Sequence, residues 1–337
     1  MDLVPPGPSY NPGDDYDNFT GDVTRGVFDL SAFKHKYITK QHFTDVLFSI
    51  ARSPRFRGFR ELNLFLLNYP FKKFIENPLQ TLMSIFELKD LIPLERLAIG
   101  YPLKINESLL IRLARMSPNL RSFTLYMPGD NVSSFCIDKM TSYWYNLQEA
   151  RFDWCYLLTD NDLRVLCDYC PMLISISFYK CKQISKRGLH TIANTNPYIE
   201  QLDYTQHELP EYEPITGEDI LQFVKNCGTL TQLWLDGIVM DNDDLIELKT
   251  HCPYLVDIQI QQKHPFSKDA ICTLAGCKYL QSIYLTHNLS HKEEHEWNII
   301  KRNITKQAKR LSNDWKDELM TGQPGGIPLS PCKGTIN

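Results

Sequence analysis

Nine segments of this chain share one spacing: an apolar residue, a second three positions on, and a third five positions on. They are Phe59/Leu62/Leu64, Leu94/Leu97/Ile99, Leu120/Phe123/Leu125, Leu147/Ala150/Phe152, Leu173/Ile176/Phe178, Ile199/Leu202/Tyr204, Leu230/Leu233/Leu235, Leu255/Ile258/Ile260 and Leu280/Ile283/Leu285. From the second copy to the last the steps are 26, 27, 26, 26, 31, 25 and 25 residues, after a first step of 35. Internal periodicity of this length constrains the fold more than any local motif does. The spacers read as helices. Ile184, Leu189, Ile192 and Ala193 follow helical spacing beside a Ser cap. Leu158, Leu163, Leu166 and Cys167 do the same, with acids in the first turn. Pro118, Pro171, Pro197 and Pro253 each stand two residues before the next copy, where proline stops the helix and extends the chain. Each unit is a short strand plus a helix, which cannot bury its apolar face alone and must stack on its neighbours.

Two distances then set the shape. Parallel strands lie ~4.8 Å apart, whereas packed helices need about 8–10 Å. The array must curve, with parallel strands on the concave face and helices on the convex one. The expected fold class is an α/β solenoid, a horseshoe. This pattern resembles the leucine-rich repeat family over residues 38–288. Cys155 and Cys181 each stand three positions after the last apolar residue of their copy, and Cys-Pro junctions occur at Cys170 and Cys252. On these residues the chain is similar to the cysteine-containing, ribonuclease-inhibitor-like type found in the repeat region of F-box/leucine-rich-repeat proteins, with no F-box evident. The resemblance implies a non-enzymatic protein-binding scaffold, as a substrate-recognition subunit or adaptor of a cullin-type ubiquitin ligase with ligase subunits among its partners. The alternative it implies is an inhibitor or regulator that wraps a partner enzyme through the concave face.

Residues 1–37, with Pro5, Pro6, Pro8, Pro12 and several aspartates, read as a mostly disordered acidic tail. Residues 289–320 read as a C-terminal capping helix. Trp297, Ile300, Ile304, Ala308, Leu311 and Trp315 form its apolar stripe, with basic residues off the stripe. The remaining stretch, 321–337, is rich in Gly and Pro and reads as a flexible tail. A net charge of -4 argues against nucleic acid as the partner, which calls for a strongly basic surface. No apolar run reaches the ~18 residues of a membrane span, and the first residues do not look like a secretory signal. The expectation is a cytoplasmic or nuclear protein whose ten cysteines are thiols. All but Cys332 are expected to be buried.

Two motifs bear on catalysis. His291-Lys-Glu-Glu-His295 has the spacing of inverted zinc peptidases, but only 42 residues follow it, too few for a catalytic domain. Its plainer reading is a solvated segment before the cap. Cys167-Asp-Tyr-Cys170 is a lone C-x-x-C without the second pair that a structural zinc site needs. Cys170, Cys227, Cys252 and Cys277 all lie three residues before a copy, the mark of a small packing residue. No phosphate loop, nucleophile elbow or kinase signature is present, so no enzyme activity, cofactor or metal is expected.

Within each strand the residues between the apolar positions face the concave side. A central stripe runs Asn63, Ala98, Thr124, Arg151, Ser177, Asp203, Trp234, Gln259, Tyr284. The next runs Phe65, Gly100, Tyr126, Asp153, Tyr179, Thr205, Asp236, Gln261, Thr286. A third, at the strand ends, holds Tyr101, Met127, Trp154, Lys180, Gln206 and His287. Tyr101, Tyr126, Arg151, Asp153, Trp154, Tyr179, Asp203, Trp234, Asp236 and Tyr284 are the candidate partner-binding residues, because Trp, Tyr and Arg are enriched at binding hot spots. The plainer reading is aromatic stacking between adjacent strands. The mixed aromatic and acidic surface suits a protein or peptide partner that carries basic residues.

Overall fold

The computed structural model of the protein describes residues 27–29, 60–63 and 93–285 (apart from 102–104, 106, 129–131, 206–213, 263 and 265), with 299, 300, 302–304 and 306. The 0, +3, +5 spacing becomes a loop residue followed by a five-residue strand whose second and fourth side chains point inward. The strands are β1 (Val27–Asp29), β2 (Glu61–Asn63), β3 (Arg96–Gly100), β4 (Ser122–Tyr126), β5 (Glu149–Asp153), β6 (Ser175–Tyr179), β7 (Gln201–Thr205), β8 (Gln232–Asp236), β9 (Asp257–Gln261) and β10 (Ser282–Leu285). They form one sheet in strict sequence order, and every described pairing is parallel. The register is constant, so Leu97, Phe123, Ala150, Ile176, Leu202, Leu233, Ile258 and Ile283 form one buried row. Ile99, Leu125, Phe152, Phe178, Tyr204, Leu235, Ile260 and Leu285 form a second.

Each full crossover among the described residues carries a helix: α1 (Glu107–Met116), α2 (Ser134–Thr141), α3 (Asp160–Tyr169), α4 (Lys186–Thr195), α5 (Gly217–Asn226), α6 (Asn242–His251) and α7 (Lys268–Ala275). Their starts are chemically fixed. Thr159, Thr216 and Asp241 close reciprocal capping boxes with Asp162, Asp219 and Asp244, and Ser185 and Ser267 accept from Arg187 and Ala270 amides. At three places the same end of the helix ties one repeat to the next. Carboxylate and amide oxygens of Glu107, Asp160 and Asn242 accept the backbone N–H of Ser133, Ser185 and Ser267 at 2.7, 2.8 and 2.7 Å.

Most of the described cysteines occupy two ladders. The thiols of Cys155 and Cys181 donate to the carbonyls of Leu125 and Phe152, one repeat back, at 3.5 and 3.2 Å. Cys170, Cys227 and Cys252 cap the ends of α3, α5 and α6, each N–H donating to the carbonyl four residues before it. Asn196 takes that place after α4 and reaches the Cys170 carbonyl at 3.1 Å. Burial pushes the Cys167, Cys170, Cys227 and Cys252 thiols up to about 12. One cysteine departs from the sequence expectation. Cys272 is exposed, because on α7 the inward positions are Ala270, Ile271 and Leu274. Cys332 lies outside the described residues.

Strand β1 falls inside the 1–37 span that reads as mostly disordered. Phe28 aligns with Leu62, and Phe28 and Leu30 match the last two positions of the repeat spacing, but Arg25 stands where the first apolar residue belongs. At the other end, residues 299, 300, 302–304 and 306 are helical. Ile304 is 3% exposed, and Ile300 packs against the core. The other stripe residues of the expected cap lie outside the described residues.

Candidate protein-binding face

Between the two buried rows, the register aligns the residues expected on the concave face. Asn63, Ala98, Thr124, Arg151, Ser177, Asp203, Trp234, Gln259 and Tyr284 are successive partners across nine strands. Gly100, Tyr126, Asp153, Tyr179, Thr205, Asp236 and Gln261 form the next row, at the strand ends. Phe65, Gln206, Thr286 and His287 lie outside the described residues. At Gly100 the strands come so close that a Cβ would stand 2.0 Å from the Tyr126 carbonyl oxygen, so glycine is required there.

Past the strand ends lies the third row, where the backbone turns. The N–H groups of Tyr101, Met127, Trp154 and Gly237 donate to Tyr126, Asp153, Tyr179 and Gln261 carbonyls, each on the following strand, at 2.7–2.9 Å. Met127, Trp154, Lys180 and Gly237 adopt φ of 43, 57, 55 and 78°. This left-handed geometry costs about 1–2 kcal/mol for a residue with a Cβ. Gly237 avoids that cost. Three adjacent repeats instead keep large side chains at the strained position.

Two of those side chains, Trp154 and Lys180, form a cluster with Tyr156, Tyr179 and Lys182. The Trp154 ring meets Tyr179 and Tyr156 edge-on, with centroids 6.0 and 6.1 Å apart. The Lys180 ammonium lies 4.3 Å from the Trp154 ring centre and 5.2 Å from that of Tyr179. Lys182 lies 4.4 Å over Tyr156. Cation–π contacts of this kind are worth about 0.5–1 kcal/mol at exposed sites. Tyr126 stands next in the row, half-buried. Its hydroxyl is pushed up by burial, and then by the charge of Asp153 and by Tyr179 and Tyr101. Tyr101 is likewise raised by burial.

The polar centre is arranged differently from the sequence picture. Asp153 is not free for a partner. Its side chain is only 7% exposed, and Arg151 Nε donates to both of its carboxylate oxygens at 3.1 and 2.9 Å. Burial raises the Asp153 carboxyl, and Arg151 pulls it back. Asp203 accepts from the Ser177 hydroxyl at 2.9 Å. Burial raises its carboxyl too, opposed by Ser177 and Arg151 and reinforced by Asp236. Trp234 is 37% exposed and donates its indole N–H to Asp257 at 3.1 Å. Asp236 pairs with no cation among the described residues.

The structure thus brings Trp154, Tyr179, Tyr126 and Tyr101 along one end of the sheet. Trp234 is separated from Arg151 by the Ser177 and Asp203 strands. Tyr284, 45% exposed, stands two strands beyond Trp234. Tyr156 and Lys182 were missed by reasoning from strand alternation, because they lie beyond the strand. Aligning the repeats on Cys155 and Cys181 places Tyr156 beside Lys182, and that signal was in the sequence. Cys167 and Cys170 are free thiols. Among the described residues no three His, Cys, Asp or Glu side chains converge as a metal site, and no helix is long and apolar enough to cross a membrane. The His291–His295 motif lies outside the described residues.

A sequence-ordered parallel sheet, with a helix returning each strand to the next, is the leucine-rich-repeat solenoid. No protein-family model and no curated protein matches the chain. Several solved structures align with it. The yeast Rad7 and Elc1 complex aligns at 14% identity over 74% of this chain and 76% of that one, with a TM-score of 0.47. The leucine-rich repeat-containing protein LegL7 from Legionella pneumophila aligns at 12% over 90% and 95%, with a TM-score of 0.41. An internalin from Listeria monocytogenes aligns at 14% over 71% and 65%, with a TM-score of 0.38.

Proposed function

We propose that this protein is a non-enzymatic recognition scaffold that binds a protein or peptide on the concave sheet face and along the strand ends beside it. The observation that carries this reading is the row Met127, Trp154 and Lys180. Large side chains stand there on three successive strands at a backbone position that favours glycine. Core packing does not account for them, since Met127, Trp154 and Lys180 are all only partly buried. Trp234, Asp236 and Asp203 extend the face towards the later repeats.

Within that reading the protein serves as a substrate-recognition subunit or adaptor of a cullin-type ubiquitin ligase, in the cytoplasm or nucleus. The support is the cysteine-containing form of the repeats, in which Cys155 and Cys181 take matching places in successive units. Affinity purification with mass spectrometry identifies the partner, and binding is then measured with purified proteins. Truncating Trp154 or Trp234 to Ala is expected to weaken it by ~2 kcal/mol or more, the hot-spot scale. Undiminished affinity in both variants would remove the face as the site. Reconstitution with cullin-adaptor subunits checks the finer role. A stable complex with an enzyme and none with those subunits would favour the inhibitor reading instead.

A further inference from the structure

The strand-end edge and the sheet face carry opposite charges. At the edge, Lys180 and Lys182 lie over Trp154 and Tyr156, and neither pairs with an acid among the described residues. Exposed Leu157 completes an apolar margin there. On the face, Asp153 is answered by Arg151, but Asp203 and Asp236 bring two further carboxylates that no cation neutralises within ion-pair distance among the described residues. Resting on the binding function proposed above, we infer that the partner segment is bipolar. A glutamate or aspartate docks against Lys180 and Lys182, and a lysine or arginine of the same segment sits over Asp236, with Asp203 behind it.

The strand spacing sets the separation. Lys180 follows the end of β6, and Asp236 ends β8, two strands away. Two steps of ~4.8 Å across the sheet and one residue along it, ~3.3 Å, put the two backbone positions about 10 Å apart. An extended peptide covers that distance in about three residues. The segment therefore carries its acid and its base about three positions apart. The two lysines, each held over a ring, act as separate point charges that an Asp or Glu can meet without a fixed bidentate geometry. The arrangement also sets direction, since the reversed segment would place like charges together at both ends.

The test is panning of a random peptide library of unmodified residues against the full chain. Wild-type protein is expected to enrich peptides with an acid and a base about three residues apart. The K180E/K182E variant should lose the acid and select a base in its place, and D236K should do the converse. A selected peptide should bind about fivefold or more weakly to K180Q/K182Q, the milder variant, whose folding is checked by circular dichroism. An acidic preference that persists in K180E/K182E, or wild-type peptides without the charge pair, would overturn the bipolar reading and leave the binding face standing. Enrichment no better than with a W154A/W234A protein would overturn both.

Discussion

Lys180 offers a test of whether its side chain is kept at a conformational cost. Its φ is 55°, while the residue in the same turn after β8 is Gly237 with φ 78°. Two substitutions isolate the backbone contribution. Lys180→Ala and Lys180→Gly both delete the cation over Trp154 and Tyr179, losing about 0.5–1 kcal/mol at this partly exposed site. Only the glycine relieves the left-handed geometry, a gain of about 1–2 kcal/mol. Its looser unfolded chain takes back roughly 0.4–1 kcal/mol. The difference leaves Gly more stable than Ala by about 0.8 kcal/mol, and nearly as stable as the parent. This reverses the order found inside strands and helices, where Ala is favoured by roughly 0.5–1 kcal/mol. Urea unfolding reads the difference as a midpoint shift of about 0.3 M for a slope near 3 kcal/mol/M. If Lys180→Ala unfolds at the same urea concentration as Lys180→Gly or a higher one, the turn is not held left-handed. The claim that these side chains are retained against strain then fails.

Ile176→Ala should cost ~2–5 kcal/mol, in the upper half of that range, because Ala150 already sits beside Ile176 on β5 and the new cavity would merge with that small residue; urea unfolding checks it, and a loss no larger than that of Ile176→Val would contradict the row assignment. Among the nine described cysteines only Cys272 should react with a thiol reagent in the native protein, the other eight following on unfolding, as mass spectrometry of alkylated protein will show. Asp203 has a folded pKa above the ordinary 3.8, so its contribution to stability is full below that value and is lost as pH rises through the folded pKa. Asp203→Asn should therefore raise stability at pH 7 and reduce the relative gain on acidification towards pH 4, measured by urea unfolding at both; a loss of stability at pH 7 would mean that Ser177 and Arg151 outweigh burial.

Much of the fold was legible because repetition averages out local ambiguity. A single strand such as Leu120–Leu125 could be read as a helix fragment, but nine copies at one spacing admit one register, and the structure has that register. Helix starts were legible at Ser185 and Thr159 for a local reason: the side chain that caps the helix is adjacent to it in sequence. Strand β1 was not, because Arg25 breaks the spacing and pairing with β2 supplies what local pattern lacks. The candidate site was half legible. Strand alternation placed Arg151, Asp203 and Trp234 on one face, yet it could not show that Arg151 and Asp153 would neutralise each other. The repeat register extends past the strand end and set Trp154 beside Lys180, but alternation does not, so the meeting of Tyr156 and Lys182 with them across a left-handed turn could be read only by aligning Cys155 with Cys181.

The position of that cluster follows from the geometry of the array. In the central row each side chain has neighbours ~4.8 Å away on both sides. Bulky groups there must stack on one another or alternate with small ones, as Thr124 and Ser177 do on either side of Arg151. Polar groups in and beside that row already hold partners within the protein: Asp203 accepts from Ser177, Asp153 from Arg151, and the Trp234 indole donates to Asp257. A partner must compete with those contacts. After the strand ends, the left-handed turn takes each residue out of the pleat. Trp154 can then present an edge to two tyrosines and a face to Lys180 without displacing any bond of the sheet. The strain at the turn is held by the Trp154 N–H to the Tyr179 carbonyl, and the thiols of Cys155 and Cys181 fix the chain immediately after it. The proposed recognition edge therefore lies where the repeat leaves the sheet, on a backbone fixed by those hydrogen bonds.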